Sequence, residues 1–197
     1  MASGEPFCDF AFPVRGNRVP YEHGYLLYSA LSGVCPALHE RQDAGIFQIP
    51  STSTGEGRGT LGKDATLKIR GPASLYPSLV QLAGEAFELE GDRIRLGVPA
   101  AYPLRPAQKL EAALVVIKGY MEKGDFEEAV GRQLDALEVD CSTEIGDRNV
   151  VRIKGKSIVG FGVELADLDA NDSLLVMQEG IGGRRKMGCG LFEARSN

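Results

Sequence analysis

Apolar residues in this chain recur with a period of two in some stretches and near 3.6 in others, and the two periods follow an order that occurs twice. Cys8, Phe10, Phe12 and Val14 alternate, which predicts a strand with one face on a core. Leu27, Ala30, Leu31 and Val34 follow at helical spacing, with Ser32-Gly33 as the expected stop. GIFQIPS (45–51) and ATLKIRG (65–71) read as strands, and the segment TSTGEGRGTLG between them as a mobile glycine- and threonine-rich loop. Leu75, Leu79, Leu82 and Ala86 make a second helical stripe before a strand with Ile94, Leu96 and Val98.

The pattern stops around Pro99, Pro103 and Pro106, which divides the chain into domains at 1–98 and 99–197. LEAALVVIKG (110–119) then predicts a buried strand, and Asp125 is the expected N-cap of a helix with Phe126, Val130, Leu134 and Leu137 on one face. Val151 and Ile153, then Val159, Phe161, Val163 and Leu165, give two strands joined by a turn at Gly155-Lys156. Asp172-Ser173 is expected to cap a short helix through Met177, and MGCGLFEA (187–194) to close as a strand. Each half therefore reads β-α-β-β-α-β, and the expected fold class is α+β with two tandem ferredoxin-like domains.

Composition narrows the picture. With 197 residues, 43% hydrophobic and 25% charged, the chain has enough apolar material for one large or two small domains. No run approaches the roughly 18 to 20 apolar residues of a membrane span, and the mean hydropathy is −0.12. The opening MASGEPFCDFAF lacks a basic stretch followed by an apolar one, so a cytoplasmic protein with no membrane partner is expected. Cys8, Cys35, Cys141 and Cys189 lie far apart without a CxxC pair and read as reduced, buried thiols. With two histidines besides, neither a metal site nor a cofactor is expected.

The net charge of −5 argues against generic nucleic-acid affinity, yet its distribution is uneven. Acids gather in the predicted helices. Arg148, Arg152, Lys154 and Lys156 share one parity and are expected on one strand face, either as a solvated surface or as a grip on an anion. Arg184, Arg185 and Lys186 lie between two Gly-x-Gly pairs, Gly180/Gly182 and Gly188/Gly190. One such pair suggests a tight helix-to-strand turn. Two pairs around three cations favour a phosphate-binding loop, with main-chain amides and side-chain cations as donors. The segment matches neither the mononucleotide P-loop nor the dinucleotide fingerprint.

His39 and His23 are the groups that move protons near neutral pH. Tyr28 lies eleven residues before His39, about 16 Å away on an unbroken helix. A break between Gly33 and Pro36 would fold the chain back and bring the two together.

The stretch Val-Pro-Tyr-Glu-His-Gly-Tyr-Leu-Leu-Tyr-Ser-Ala-Leu (19–31), Leu-His-Glu at 38–40 and the glycine-rich 180–190 segment resemble the CRISPR repeat-processing endoribonucleases, the Cas6 family of the RAMP superfamily, and most of all its MYXAN-type branch. The resemblance runs from about Phe10 to the C-terminus. It implies that His39 is catalytic, that Tyr28 helps position the reacting groups, and that the partner is CRISPR repeat RNA, with other effector subunits as further partners. It also implies metal-independent cleavage by the RNA's own 2′-hydroxyl, leaving a 2′,3′-cyclic phosphate and a 5′-hydroxyl.

Some members carry a lysine shortly after the histidine. Here that neighbourhood reads Asp43-Ala44-Gly45-Ile46-Phe47, so charge stabilisation is expected from Arg41, Arg58 or the Arg184–Lys186 cluster. A non-catalytic RNA-binding subunit of an effector complex is the alternative reading. A small-anion enzyme on the same scaffold is a third, and it leaves the basic strand face unexplained.

Overall fold

The computed structural model describes residues 4–153 and 155–195. Lys154, one of the expected RNA contacts, lies outside the described residues. The chain forms two compact units that part between Pro103 and Leu104. This is later than the expected 98/99 division, because residues 100–103 form a strand that pairs with the first strand of the chain.

The first unit runs β1 (Phe7–Arg15), β2 (Arg18–Pro20), α1 (Gly24–Val34), α2 (Ala37–Glu40), β3 (Gly45–Ile46), β4 (Ser51–Ser53), β5 (Arg58–Leu61), β6 (Thr66–Pro72), α3 (Tyr76–Leu79), β7 (Ala86–Leu89), β8 (Asp92–Leu96) and β9 (Ala100–Pro103). Its main sheet is antiparallel in the order β3-β6-β1-β8-β7, with β9 also on β1. The first four of these are the βαββαβ strands in ferredoxin-like order. Phe10, Phe12, Leu67, Ile69 and Ile94 point from this sheet into a core that Leu27, Leu31 and Leu79 close from the helical side. Each such side chain contributes about 1.5–3 kcal/mol when fully buried.

Three expectations in this unit change. The 52–62 segment is a hairpin: β4 and β5 pair across a tip with Gly55 and Gly57 at positive φ, and with β2 they make a separate three-stranded sheet. The strand expected over 45–51 is interrupted, since Pro50 has no amide for a ladder and the Ile49 amide donates to a histidine ring. The second helix is a series of single turns ending at Leu82, and Gly84, at φ +83°, turns the chain so that Ala86 opens β7.

The second unit runs β10 (Leu110–Val115), α4 (Lys123–Ala136), β11 (Ser142–Ile153), β12 (Lys156–Ala166), α5 (Ala170–Glu179) and β13 (Glu193–Ala194), with sheet order β11-β12-β10-β13. This is again the ferredoxin-like order. Phe126 and Phe161 pack against each other in its core, tilted by 40° with 4.6 Å between ring centroids. The N-cap of α4 is Glu122; Asp125 stands in the first turn, where its charge still complements the helix dipole. The N-cap of α5 is Asp169, whose carboxylate accepts from the Asp172 amide at 2.7 Å, while Ser173 is buried inside the helix. β10 stops at Val115, and only Glu193–Ala194 of the expected closing strand pairs, because residues before it form the glycine loop.

Among the described residues no helix is long and apolar enough to cross a membrane. All four cysteines are free, and burial raises the Cys189 thiol pKa to about 11.

Candidate functional site

The break after the first helix carries the site. α1 ends where the Cys35 amide donates to the Leu31 carbonyl and Cys35 leaves helical geometry, and Pro36 then starts α2. Four residues make a helix too short to hold itself. Leu38, completely buried, pins it to the core and turns its neighbour His39 outward to solvent. The Tyr28 hydroxyl and His39 Nδ1 are 2.7 Å apart, with the two rings 6.3 Å between centroids and 19° between planes. A phenol donating to Nδ1 places the imidazole proton on Nε2; the imidazolium instead donates from Nδ1 to the phenol oxygen. The same contact thus orients the ring in both protonation states.

His23 is a different kind of histidine. Its ring is buried, Nδ1 donates to the Pro20 carbonyl at 2.7 Å, and Nε2 accepts the Ile49 amide at 2.9 Å. Burial holds its pKa below the ordinary value. It clamps the start of α1 between two segments and serves the fold.

The two arginines expected to stabilise charge are both tied to carboxylates. Arg41 forks Asp43, Nε to Oδ1 at 2.9 Å and Nη2 to Oδ2 at 2.7 Å. Arg58, on β5, donates to Asp92 at 2.8 Å and to the Glu90 carbonyl at 3.0 Å, in a cluster that Arg18 joins.

The glycine loop of the second unit is built by main chain packing on main chain. Gly180, Gly182, Gly188 and Gly190 all have positive φ. A Cβ at Gly190 would stand 2.2 Å from the Ile181 carbonyl oxygen, and one at Gly182 2.5 Å from that of Val116. The amides of Ile181, Gly183 and Gly190 donate to main-chain carbonyls, those of Met187, Gly188 and Cys189 to carbonyls within the loop, and that of Gly182 to Gln133 Oε1 at 2.8 Å. These amides are therefore engaged within the protein itself. What the loop offers outward is cationic: Arg184 is exposed in left-handed geometry and Lys186 half-buried, while Arg185 donates back to the Gln178 carbonyl.

The basic strand face also changes. Arg148 and Arg152 lie on β11 opposite Phe161 and Ser157 and share a face. Lys156 stands opposite Ile153, so it projects from the other face. Shared parity places residues on one side within a strand, but the passage from β11 to β12 resets it.

A sequence model of the family described as Cas6 Crispr matches residues 8–197. The chain belongs to the Cas6 family. It is 44% identical over 186 residues, 94% of this chain and 80% of the relative, to the CRISPR-associated endonuclease Cas6 of Myxococcus xanthus. Two solved structures share the fold at low identity. One is described as CRISPR associated protein Cas6, with TM-score 0.66 and 12% identity over 98% of this chain and 100% of that one. The other is described as a RAMP protein binding different RNA substrates, with TM-score 0.68 and 10% identity over 97% and 100%.

In this Cas6 chain, Asp43 and Ser74 near His39 in the first unit, and separately Gln133 at the glycine loop of the second, hold their partners without any sequence signal. Asp43 and Gln133 act through partners set by the folded chain, and Ser74 meets the Arg41 side chain 33 positions away in sequence.

Proposed function

We propose that this protein is a metal-independent endoribonuclease that cuts precursor CRISPR RNA within its repeats, in the cytoplasm. The observation that carries the reading is the solvent-facing His39 ring held by the Tyr28 hydroxyl at 2.7 Å. In the reaction the 2′-oxygen attacks the adjacent phosphorus, the bond to the 5′-oxygen breaks, and the products are a 2′,3′-cyclic phosphate and a 5′-hydroxyl. A proton leaves the 2′-hydroxyl and one reaches the departing 5′-oxygen; the imidazole of His39 serves one of these transfers. Tyr28 keeps the ring oriented throughout. α1 carries no charged side chain, so the flank on which Tyr28 lies does not repel a polyanion.

Arg184 and Lys186 on the loop and Arg148 and Arg152 on β11 hold phosphates, with Lys156 contributing from the opposite face. Its relatives, an endonuclease associated with CRISPR and a fold-mate that binds RNA, support RNA as the partner. The deciding assay incubates the purified protein with its repeat RNA in EDTA. Cleavage with cyclic-phosphate and 5′-hydroxyl ends is expected, and His39→Ala is expected to slow it by roughly 10²–10⁴-fold. A metal requirement, or undiminished cutting by His39→Ala, overturns the reading. Tight RNA binding with no turnover by the wild-type chain would identify a non-catalytic subunit.

A further inference from the structure

Immediately after His39 the chain makes a turn fastened by side chains that the proposed chemistry leaves unassigned. The Arg41 amide closes on the Ala37 carbonyl at 3.0 Å, ending α2, and its guanidinium folds forward onto both oxygens of Asp43, two residues on. The remaining nitrogen, Nη1, lies 3.5 Å from Ser74 Oγ. Ser74 is itself fixed: its amide donates to Glu5 Oε1 at 2.5 Å, and the preceding Ala73 amide donates to the Pro6 carbonyl at 2.9 Å. The turn bearing His39 is thereby fastened to the chain that leaves β6.

We propose that Arg41 is a positioning residue for His39: by gripping Asp43 and meeting Ser74 it fixes the exit of α2, and so the place of the imidazole against Tyr28. The inference rests on the reading of His39 as the proton-transfer group. Three observations favour positioning over direct service to the phosphate. The helix that carries His39 is a single turn, buried by Leu38 alone among its residues, so its far end needs an anchor. The fork with Asp43 is bidentate, a geometry that restrains both partners in plane and distance. A guanidinium already matched to both oxygens of one carboxylate also presents little net charge to a second anion.

The substitutions that separate these roles are Arg41→Lys, which keeps the cation and loses the fork, and Asp43→Asn, which keeps the arginine and releases it. Each is measured in single-turnover cleavage of the repeat RNA, in equilibrium RNA binding, and in ¹H–¹⁵N ring correlations. The chain has two histidines, so His23 serves as the internal control. Both variants are expected to lower the cleavage rate about tenfold or more with affinity unchanged. Both are expected to move the His39 ring signals and leave those of His23 in place.

Retained rate in Arg41→Lys together with equal or faster cleavage in Asp43→Asn overturns the inference and assigns Arg41 to the phosphate. Unmoved His39 signals overturn it as well. Failure of the underlying reading looks different: His39→Ala then cleaves normally, while the ring signals still report whether Arg41 places the imidazole.

Discussion

His23 and His39 are 16 positions apart in sequence, yet the fold gives them opposite circumstances. Both ring nitrogens of His23 are engaged with main chain in the interior, so the ring is held neutral as a single tautomer. The unfolded chain takes up a proton there at about pH 6.5, whereas the folded chain resists it because burial disfavours the charged ring. The unfolded state then binds more protons, so stability is full above 6.5 and falls as pH drops through the lower, folded value. Urea unfolding of wild type and His23→Gln at pH 7.5 and 5.0 checks this. Wild type is expected to lose more stability on acidification than the variant, and equal losses would contradict the account. The contrast between the two rings was partly legible in the residues: Pro36 announced the break that brings Tyr28 to His39. The partners of His23 were not, because Ile49 lies 26 positions away and its amide becomes available only because the chain has left the ladder after β3.

At the scale of elements, the two β-α-β-β-α-β series could be read from periodicity, since Phe10, Phe12, Val163 and Leu165 alternate clearly and are buried as their pattern requires. The β4–β5 hairpin could not. Its strands have mostly serine, threonine and glycine, so no apolar stripe distinguishes them from a loop. Helix caps were misplaced by a few residues because several acids compete near each start and only the backbone angle selects one.

The glycine loop yields a sharper test. Gly190→Ala puts a methyl against a carbonyl at a positive φ and is expected to cost about 3 kcal/mol or more. Gly183→Ala, where a Cβ would meet nothing within 4 Å, is expected within about 0.5 kcal/mol of wild type. Chemical denaturation of both variants decides it, and equal effects would contradict the packing argument.

Across the whole molecule, the net charge of −5 describes no single surface, because the charges of the second unit are sorted by face. Glu193, Glu111, Glu164 and Glu144 stand directly opposite one another across β13, β10, β12 and β11, on the sheet face away from the core. Like charges so placed repel, and Arg195, bridging Glu111 and Glu164, offsets part of that. The cations of β11 and the loop lie elsewhere, and their contribution is measurable as salt dependence. Arg148→Ala with Arg152→Ala is expected to weaken repeat binding and to reduce the slope of log affinity against log salt by roughly 2, whereas Lys156→Ala alone changes it by roughly 1 or less. Filter binding over a salt series checks this, and an unchanged slope in the double variant would remove β11 from the RNA path. Lys156 shows why such sorting resists reading in one dimension: the turn before it carried an expected member of the set to the reverse side.

Where the loop of the second unit crosses itself, with Gly180 and Ile181 against Gly190, neither glycine admits a side chain, while Gly183 faces open space. Variation is consequently channelled: substitutions at the crossing unmake the scaffold, and substitutions at exposed positions such as Gly183 and Arg184 leave it standing. The loop is thus a fixed frame whose outward-facing residues are open to replacement.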